Sequence, residues 1–171
     1  MIYIREERPE DIEGVRKVNE KVFTLAFGHA PEADVVDRLR ENCDCLLSLV
    51  AVQDNQVVGH ILFSPVRIEG NEAVEGMGLG PMAVLPELQH KGIGSQLVHA
   101  GIEMLIDLGW PFIVVVGHPE YYPRFGFERA SHFGIRSNWE GVPDEAFMIR
   151  ILNEKVMSGL SGVARFRNEF D

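Results

Sequence analysis

The chain has 171 residues, of which 46% are hydrophobic and 25% are charged, a composition typical of one soluble domain with a sizeable core. Its formal net charge of −10 argues against binding to a nucleic-acid backbone, which needs concentrated lysine and arginine. The same charge mildly favours a cationic amine over an anionic substrate. We therefore expect a single domain over residues 1–171 and no nucleic-acid partner.

The chain shows no sign of export or membrane insertion. Its first residues become charged too soon for a secretory signal, and no apolar run approaches the roughly 20 residues that span a bilayer. We expect a cytoplasmic protein without a membrane partner. Cys43 and Cys45 are one residue apart, a spacing that suits neither a disulfide framework nor a four-ligand zinc site, so we expect reduced structural cysteines and no metal.

The first quarter of the chain predicts a strand followed by two helices. Residues 2–6 alternate as a strand does, and Pro9 begins a helix that we expect to end near Gly28. A second, shorter helix is predicted over residues 32–41. Helical spacing predicts that the apolar side chains of both helices face inward. In the first helix these are Ile12, Val15, Val18 and Val22, and in the second Val35, Val36 and Leu39.

Three further strands follow in succession. Residues 46–53 are rich in Leu and Val, a polar hairpin turn follows, and residues 57–68 read as the returning strand, with Pro65 at a bulge or an edge. Residues 69–72 make the next turn, and residues 73–84 give a third strand of this series. Together with the first strand, they predict an antiparallel meander.

Residues 79–97 organise the rest of the chain as strand, loop and helix. Gly92 and Gly94 open a helix that we expect to run from Lys91 to about Leu108 and to stop at Gly109. The first N–H groups of a helix lack intrahelical partners, and glycines let a ligand approach the backbone closely. This loop is therefore a candidate phosphate site. The apolar stripe of the helix consists of Ile93, Leu97, Ala100, Gly101, Met104 and Leu108.

Residues 111–116 form a continuous apolar run, which is typical of a strand buried on both faces. Strand, crossover helix and buried strand make a βαβ unit with parallel strands. A ligand of such a unit belongs at the carboxyl ends of its strands. The glycine loop already stands at one of these ends.

The loop has a family resemblance. The motif Gln89-His90-Lys91-Gly92-Ile93-Gly94 resembles the Q/R-x-x-G-x-G/A motif of the GCN5-related N-acetyltransferases, the GNAT superfamily. Residues 59–65, 79–97, 121–127 and 146–148 together are similar to a bacterial subgroup, the YhbS-like acetyltransferases. The resemblance implies the GNAT acyl-CoA N-acyltransferase fold: a mixed α/β (α+β) architecture whose mostly antiparallel sheet has one parallel βαβ unit at the coenzyme A site.

The resemblance also implies which residues bind acetyl-CoA. Backbone amides of the loop would hold the coenzyme pyrophosphate, and the strand edge before it would pair with the pantetheine arm. The loop residues are Gln89, His90, Lys91, Gly92, Ile93, Gly94 and Ser95, and the strand residues are Met82, Ala83 and Val84.

A second motif follows the buried strand. Tyr122 stands four residues ahead of Gly126-Phe127, which matches the family pattern Y-x-x-x-G-F, in which the tyrosine hydroxyl lies near the coenzyme A sulfur. In acetyl transfer an amine attacks a thioester and a thiolate of pKa around 8.5 departs. A tyrosine of pKa around 10 is protonated at neutral pH and can donate to that sulfur. We assign Tyr122 as the general acid.

The acceptor site is less determined. In the resembling family the first helix pair and its connection help to form this site, so Phe27 and His29 are candidate substrate contacts beside Glu75 and His118. Close relatives commonly have Asp-Pro after the buried strand, where this chain has His118-Pro119. The attacking amine must lose a proton, and Glu75, His60, Glu120 and His118 are all open candidates for the base.

The C-terminal segments predict two more strands, over residues 130–135 and 146–152, joined by a polar stretch. The second of these is expected to pair beside a neighbour of the buried strand. The tail, residues 162–170, alternates as a strand does and is expected at a sheet edge or at a homodimer contact.

The predicted function is transfer of an acetyl group from acetyl-CoA to an amine, carried by a small molecule or a protein. Two alternatives stay open. The chain could bind coenzyme A as a sensor without turnover, since fold alone does not establish catalysis, or it could use a longer acyl donor.

Overall fold

The computed structural model describes residues 1–171 and contains a sheet of nine strands with four α-helices. None of the helices combines the length and the hydropathy needed to cross a membrane. The elements in chain order are β1 Ile2–Glu6, α1 Ile12–Phe27, α2 Pro31–Asn42, β2 Leu47–Gln53, β3 Gln56–Gly70, β4 Ala73–Val84, α3 Ile93–Asp107, β5 Phe112–Val116, β6 Glu128–Arg129, β7 Ile135–Ser137, β8 Phe147–Ile151, α4 Glu154–Met157 and β9 Gly162–Arg165.

The strands are hydrogen-bonded in the order β1-β2-β3-β4-β5-β8-β6, and β9 pairs with both β3 and β7. Strand β4 runs parallel to β5, with residues 77–79 opposite residues 113–115. This confirms the predicted mixed sheet with a parallel βαβ unit. A second parallel pair, β7 with β9, was not predicted.

By internal contacts the chain divides into two compact units. Unit 1 comprises Met1–Phe63 and Gly80–Glu103. In this unit α1 lies on the face of β3 that carries His60, which contacts Asn19, and α3 lies on the other face, where Leu97 contacts Gly59. Gly14 of α1 contacts Val57, which precedes a β-bulge in the pairing of β3 with β2. The close approach at these glycines explains how both helices pack tightly on one strand.

Helix α1 begins and ends as the sequence indicates. A 3-10 turn over Pro9–Asp11 precedes it, and Gly28 ends it in the left-handed conformation with φ of 81°. Val15 and Val18 are buried as predicted, but Ile12 is 41% exposed. Helical periodicity placed Ile12 on the inward stripe, whereas the first position of the helix faces solvent here.

Unit 2 comprises Ser64–Leu79 and Met104–Asp171 and has an apolar interior. Its C-terminal part is closed by the stacked rings of Trp139 and Phe166, whose centroids are 4.2 Å apart. The core consists of Val66, Ile68, Phe112, Val114, Ala130, Ile135, Phe147, Ile149, Met157, Leu160 and Ala164.

Two strand predictions in unit 2 are corrected by the structure. Residues 130–135 are mostly a 3-10 turn, Ala130–Phe133, because the N–H of Gly134 (φ 70°) bonds back to carbonyls of that turn. The strand next to β8 is β6 instead. Strand β8 also pairs with the buried strand β5 itself, not with a neighbour of it.

The ends of the last segments follow local signals. Helix α3 stops before Gly109, whose φ of 86° is left-handed, but Leu108 is 65% exposed and not part of the buried stripe. The tail forms β9 over Gly162–Arg165 only, and this strand pairs with β3 on one side and with β7 on the other, so the expected position at a sheet edge is wrong. The homodimer contact stays a prediction.

Candidate functional site

The loop after β4 is held by the side chain of Gln89 and by the neighbouring strand β3. The Gln89 side-chain amide donates to the carbonyl of Val84 at 2.9 Å. The N–H of Leu85 donates to the carbonyl of Val58 on β3, also at 2.9 Å. These bonds fix the start of the loop against the end of β4, and they give Gln89 a positioning role.

The backbone of this loop has two residues in the left-handed region. His90 and Gly92 have φ values of 63° and 87°, a type of conformation that can bring successive N–H groups together around an anion. The first helical bond of α3 runs from the N–H of Gln96 to the carbonyl of Gly92 at 3.0 Å. The preceding N–H groups, on Ile93, Gly94 and Ser95, therefore lack intrahelical acceptors and can receive an anion.

Space for that anion is open above Gly92. A Cβ built at Gly92 would meet no heavy atom within 4 Å. His90 and Lys91 are exposed, whereas Ile93 is buried and anchors the helix start. The loop thus combines a fixed base with an accessible surface, which is what a phosphate-binding turn requires.

The end of β4 offers main-chain groups that β5 does not use. The parallel pairing stops at Leu79, but β4 continues to Val84. Ala83 and Val84 are buried by their side chains, and Met82 is half-buried. The backbone of residues 82–84 can therefore pair with an extended ligand on the side of β4 opposite β3.

Tyr122 lies just past the carboxyl end of β5. It begins a 3-10 turn, Tyr122–Phe125, and its ring packs so closely on Gly117 that a Cβ there would be 2.4 Å from Cε2 of the ring. The rings of Tyr121 and Phe127 contact it edge-on, with centroids 5.1 and 5.6 Å away. Burial raises the pKa of Tyr122, and the neighbouring Tyr121 adds to this effect, so the phenol is protonated at neutral pH.

Two residues that support this turn escaped prediction. Gly117 must be glycine because the Tyr122 ring occupies the place of its side chain. Arg150 on β8 donates to the carbonyl of Phe125 and closely approaches Gly126, which has a left-handed φ of 87°. The available signal was a single arginine in the otherwise apolar strand 147–151.

The predicted acceptor contacts in unit 1 are exposed. Phe27 is 67% exposed at the end of α1, where its ring stacks on Phe23 at 6.3 Å. His29 is exposed and its Nδ1 lies 3.1 Å from the carbonyl of Phe27. Both are accessible to a substrate, and neither is required by the core.

The candidates in unit 2 differ in their relation to Tyr122. His118 and Glu120 are exposed in the same turn, and the carbonyl of His118 accepts the N–H of Tyr121 at 3.1 Å. Glu75 lies near the amino end of β4 and pairs with Arg67 at 3.7 Å. The structure therefore places His118 and Glu120 in the same turn as the tyrosine and Glu75 near the amino end of β4.

His60 is unsuited to take a proton from a substrate. Its ring is fully buried, Nδ1 lies 3.2 Å from the Asn19 amide nitrogen, and Nε2 lies 2.9 Å from Oγ of Ser48. Burial lowers the pKa of His60 to about 3. Both ring nitrogens are occupied, so His60 has a place in the core instead of in the chemistry.

The structure contains no group of three or more His, Cys, Asp or Glu side chains that could hold a metal ion. Cys43 and Cys45 are both free thiols, half-buried and exposed respectively.

Comparison with known proteins gives consistent matches. Residues 12–127 match the model of the Acetyltransferase (GNAT) family. The chain is 34% identical over 169 residues to the uncharacterized N-acetyltransferase YhbS of Escherichia coli, covering 98% of both chains.

Two solved structures are similar over nearly the whole chain. Escherichia coli YhbS in complex with CoA superposes with a TM-score of 0.89 at 34% identity, covering 99% of this chain and 91% of that one. A GNAT family acetyltransferase from Brucella melitensis in complex with acetyl-CoA gives a TM-score of 0.82 at 35% identity, covering 100% and 99%.

Proposed function

Because the chain belongs to the GNAT family of acetyltransferases, we propose that it transfers an acetyl group from acetyl-CoA to a primary amine. The observation that carries this proposal is the position of the two motifs. One begins five residues after the end of β4 and the other six residues after the end of β5, and these strands are parallel. Ligands of open α/β sheets bind at the carboxyl ends of such strands.

The coenzyme would be held mainly by backbone. N–H groups at residues 92–95 bind the pyrophosphate, and the free edge of residues 82–84 pairs with the amides of the pantetheine arm. The same strand edge polarises the acetyl carbonyl, where negative charge develops during attack. Two similar proteins have been solved in complex with CoA and with acetyl-CoA, which supports the choice of coenzyme.

The reaction proceeds by direct attack. The amine nitrogen bonds to the carbonyl carbon, the C–S bond breaks, and the sulfur leaves with the electron pair of that bond. Tyr122 donates its phenolic proton to this sulfur, and the proton that the amine loses restores the phenol. Burial keeps Tyr122 in its protonated form, so the donor is available at every turnover near neutral pH.

The test is acetyl-CoA turnover with a panel of amines, read as release of free thiol. Tyr122→Phe is expected to lower kcat by about 10²- to 10⁴-fold, the usual contribution of a general acid, while leaving the affinity for coenzyme A unchanged. Tyr121→Phe is the matched control, because that ring is adjacent and only half-buried. Equal activity of wild type and Tyr122→Phe would refute the role of the phenol.

Coenzyme binding is tested separately by calorimetry. Gly92→Glu is expected to weaken coenzyme A binding sharply, because a carboxylate would meet the pyrophosphate and a side chain is strained at φ of 87°. Unchanged affinity would refute the phosphate loop. Binding of coenzyme A without turnover on a wide panel would favour the sensor, and preferential use of longer acyl-CoAs would favour another acyl donor.

A further inference from the structure

Helix α1 carries an outward stripe that neither the core nor the proposed catalytic residues explain. Lys17 and Lys21 stand one turn apart on this stripe and are 72% and 52% exposed. Leu25, one turn further on, is 68% exposed. Together with Glu20 and Thr24 these side chains line a shallow surface pocket in unit 1.

One lysine of the stripe reaches the segment that introduces the glycine loop. Nζ of Lys21 lies 3.6 Å from Oε2 of Glu87. Glu87 belongs to the 3-10 turn Pro86–Leu88, which leads from β4 into Gln89. The ammonium group of Lys21 therefore contacts a residue that stands two positions before Gln89, the first residue of the proposed phosphate-binding motif.

Lys17 provides an internal contrast. Its Nζ pairs with Glu13 on the same helix at 3.2 Å, and both side chains are more exposed than those of the Lys21 pair. The two lysines share a helix, a face and a charge. They differ in that only the partner of Lys21 lies next to the loop.

The electrostatics of this location favour a role in coenzyme binding. Coenzyme A brings a pyrophosphate and a 3′-phosphate to a chain whose net charge is −10, and the Glu87 carboxylate adds a local negative charge. Lys21 neutralises that carboxylate in the free protein. A lysine has a flexible stem and three donors, so its ammonium can move from a carboxylate to a nearby phosphate oxygen.

We infer that Lys21 is a coenzyme-binding residue supplied by α1, which exchanges its contact with Glu87 for a contact with a coenzyme phosphate. The inference rests on the proposed function, because it places the phosphates at residues 92–95. It adds a side-chain cation from another element to a site otherwise built from backbone amides.

The experiment measures the Kd of coenzyme A by calorimetry for wild type, Lys21→Gln, Glu87→Gln and the control Lys17→Gln, at low and high salt. Lys21→Gln should weaken binding about tenfold at low salt, the typical value of a hydrogen bond to a charged group, and less at high salt. Glu87→Gln should tighten binding about two- to fivefold, because it removes a repulsive charge and releases Lys21. Lys17→Gln should change the Kd less than twofold.

Dephospho-coenzyme A identifies the phosphate. If wild type and Lys21→Gln bind dephospho-coenzyme A with equal Kd, the 3′-phosphate is the partner of Lys21. If Lys21→Gln still binds dephospho-coenzyme A more weakly, the pyrophosphate is the partner. Both outcomes support the inference. Equal Kd values of wild type and Lys21→Gln at low salt would overturn it while leaving the proposed function standing. Failure of wild type to bind coenzyme A at all would overturn both. Thermal unfolding of each variant verifies that these exposed substitutions leave the fold intact.

Discussion

The interiors of the two units differ in their polar content. Unit 1 buries Asn19 and His60 completely, and it half-buries an ion pair between Glu7 and Arg40. Unit 2 buries a continuous apolar cluster, and its buried side chains with a polar group are Ser64 and Tyr122. Both interiors are mostly apolar, but the difference teaches that the first depends on correct pairing of donors and acceptors in addition to apolar packing.

The polar interior of unit 1 is connected across several elements. The Asn19 amide donates to the carbonyl of Val15 at 3.0 Å and faces Nδ1 of His60, so that Nδ1 must accept. The imidazole proton then belongs on Nε2, which donates to Ser48 Oγ. These bonds connect α1, β3 and β2, and they hold His60 in the neutral tautomer with its proton on Nε2.

In the Glu7–Arg40 ion pair of unit 1, the guanidinium partly offsets the cost of burying the carboxylate. Burial raises the pKa of Glu7, and the Arg40 guanidinium partly offsets this by favouring the carboxylate. Arg40 also contacts Asp37 at 3.3 Å on its own helix. The pair joins α2 to the end of β1, where an unpaired carboxylate would be costly.

A substitution in the apolar core of unit 2 should have the largest effect on the free energy of unfolding. Phe112→Ala is expected to lower the free energy of unfolding by about 3–5 kcal/mol, because the buried ring leaves a cavity. The measurement is urea denaturation at several pH values, and the loss should be nearly independent of pH.

A second substitution tests whether shape is what matters there. A Cβ at Gly76 would lie 2.5 Å from the Phe112 ring, so Gly76→Ala alone should destabilise the protein by about 1–3 kcal/mol. Combined with Phe112→Ala, it should cost much less, since the methyl group then fills vacated space. Additive losses would contradict this explanation.

Breaking the charge pair of unit 1 should have an intermediate effect. Arg40→Met is expected to cost about 1–3 kcal/mol, because it leaves the Glu7 carboxylate 12% exposed and without its cation. The matched control is Arg129→Met in unit 2, whose pair with Asp144 is 51% and 56% exposed and should contribute less than about 0.5 kcal/mol. Equal losses in urea denaturation would show that burial does not distinguish the pairs.

The smallest expected effect at neutral pH is that of His60, whose contribution to stability changes only as the pH falls. Its pKa is about 3 in the folded state and 6.5 ordinarily, so the unfolded state takes up the proton first as pH falls. Stability is therefore complete above pH 6.5 and is lost toward pH 3, with a slope of up to about 1.4 kcal/mol per pH unit.

His60→Gln should remove this slope while keeping a polar partner for Ser48. The raised pKa of Glu7 acts in the opposite direction, since the folded state then binds its proton first, and it is present in both proteins. Subtracting the two stability profiles between pH 3 and 6.5 isolates His60. Parallel profiles would mean that the imidazole is not held neutral by burial.

Local features of this chain could be predicted because their causes lie within a few residues. Strands β1 and β4 have the predicted bounds, and the left-handed glycines at positions 28 and 109 end their helices as expected. The glycine loop opens α3, and Tyr122 stands six residues after the end of β5, so both motifs stand on the elements that the sequence indicated.

Other features depended on which parts of the chain meet. Ile12 and Leu108 fit an apolar period but face solvent, and His60 was a candidate base until Asn19 and Ser48 enclosed it. The pairing of β8 with β5 and the contact of Lys21 with Glu87 join distant segments.

Sequence by itself therefore determined the order of the elements, the caps and the two motifs, because dihedral preferences and short hydrogen bonds act over one or two turns. Only the tertiary structure decided burial, strand neighbours and charge partners. Those depend on segments far apart in the chain, and no local period records which of them will exclude water from a given side chain.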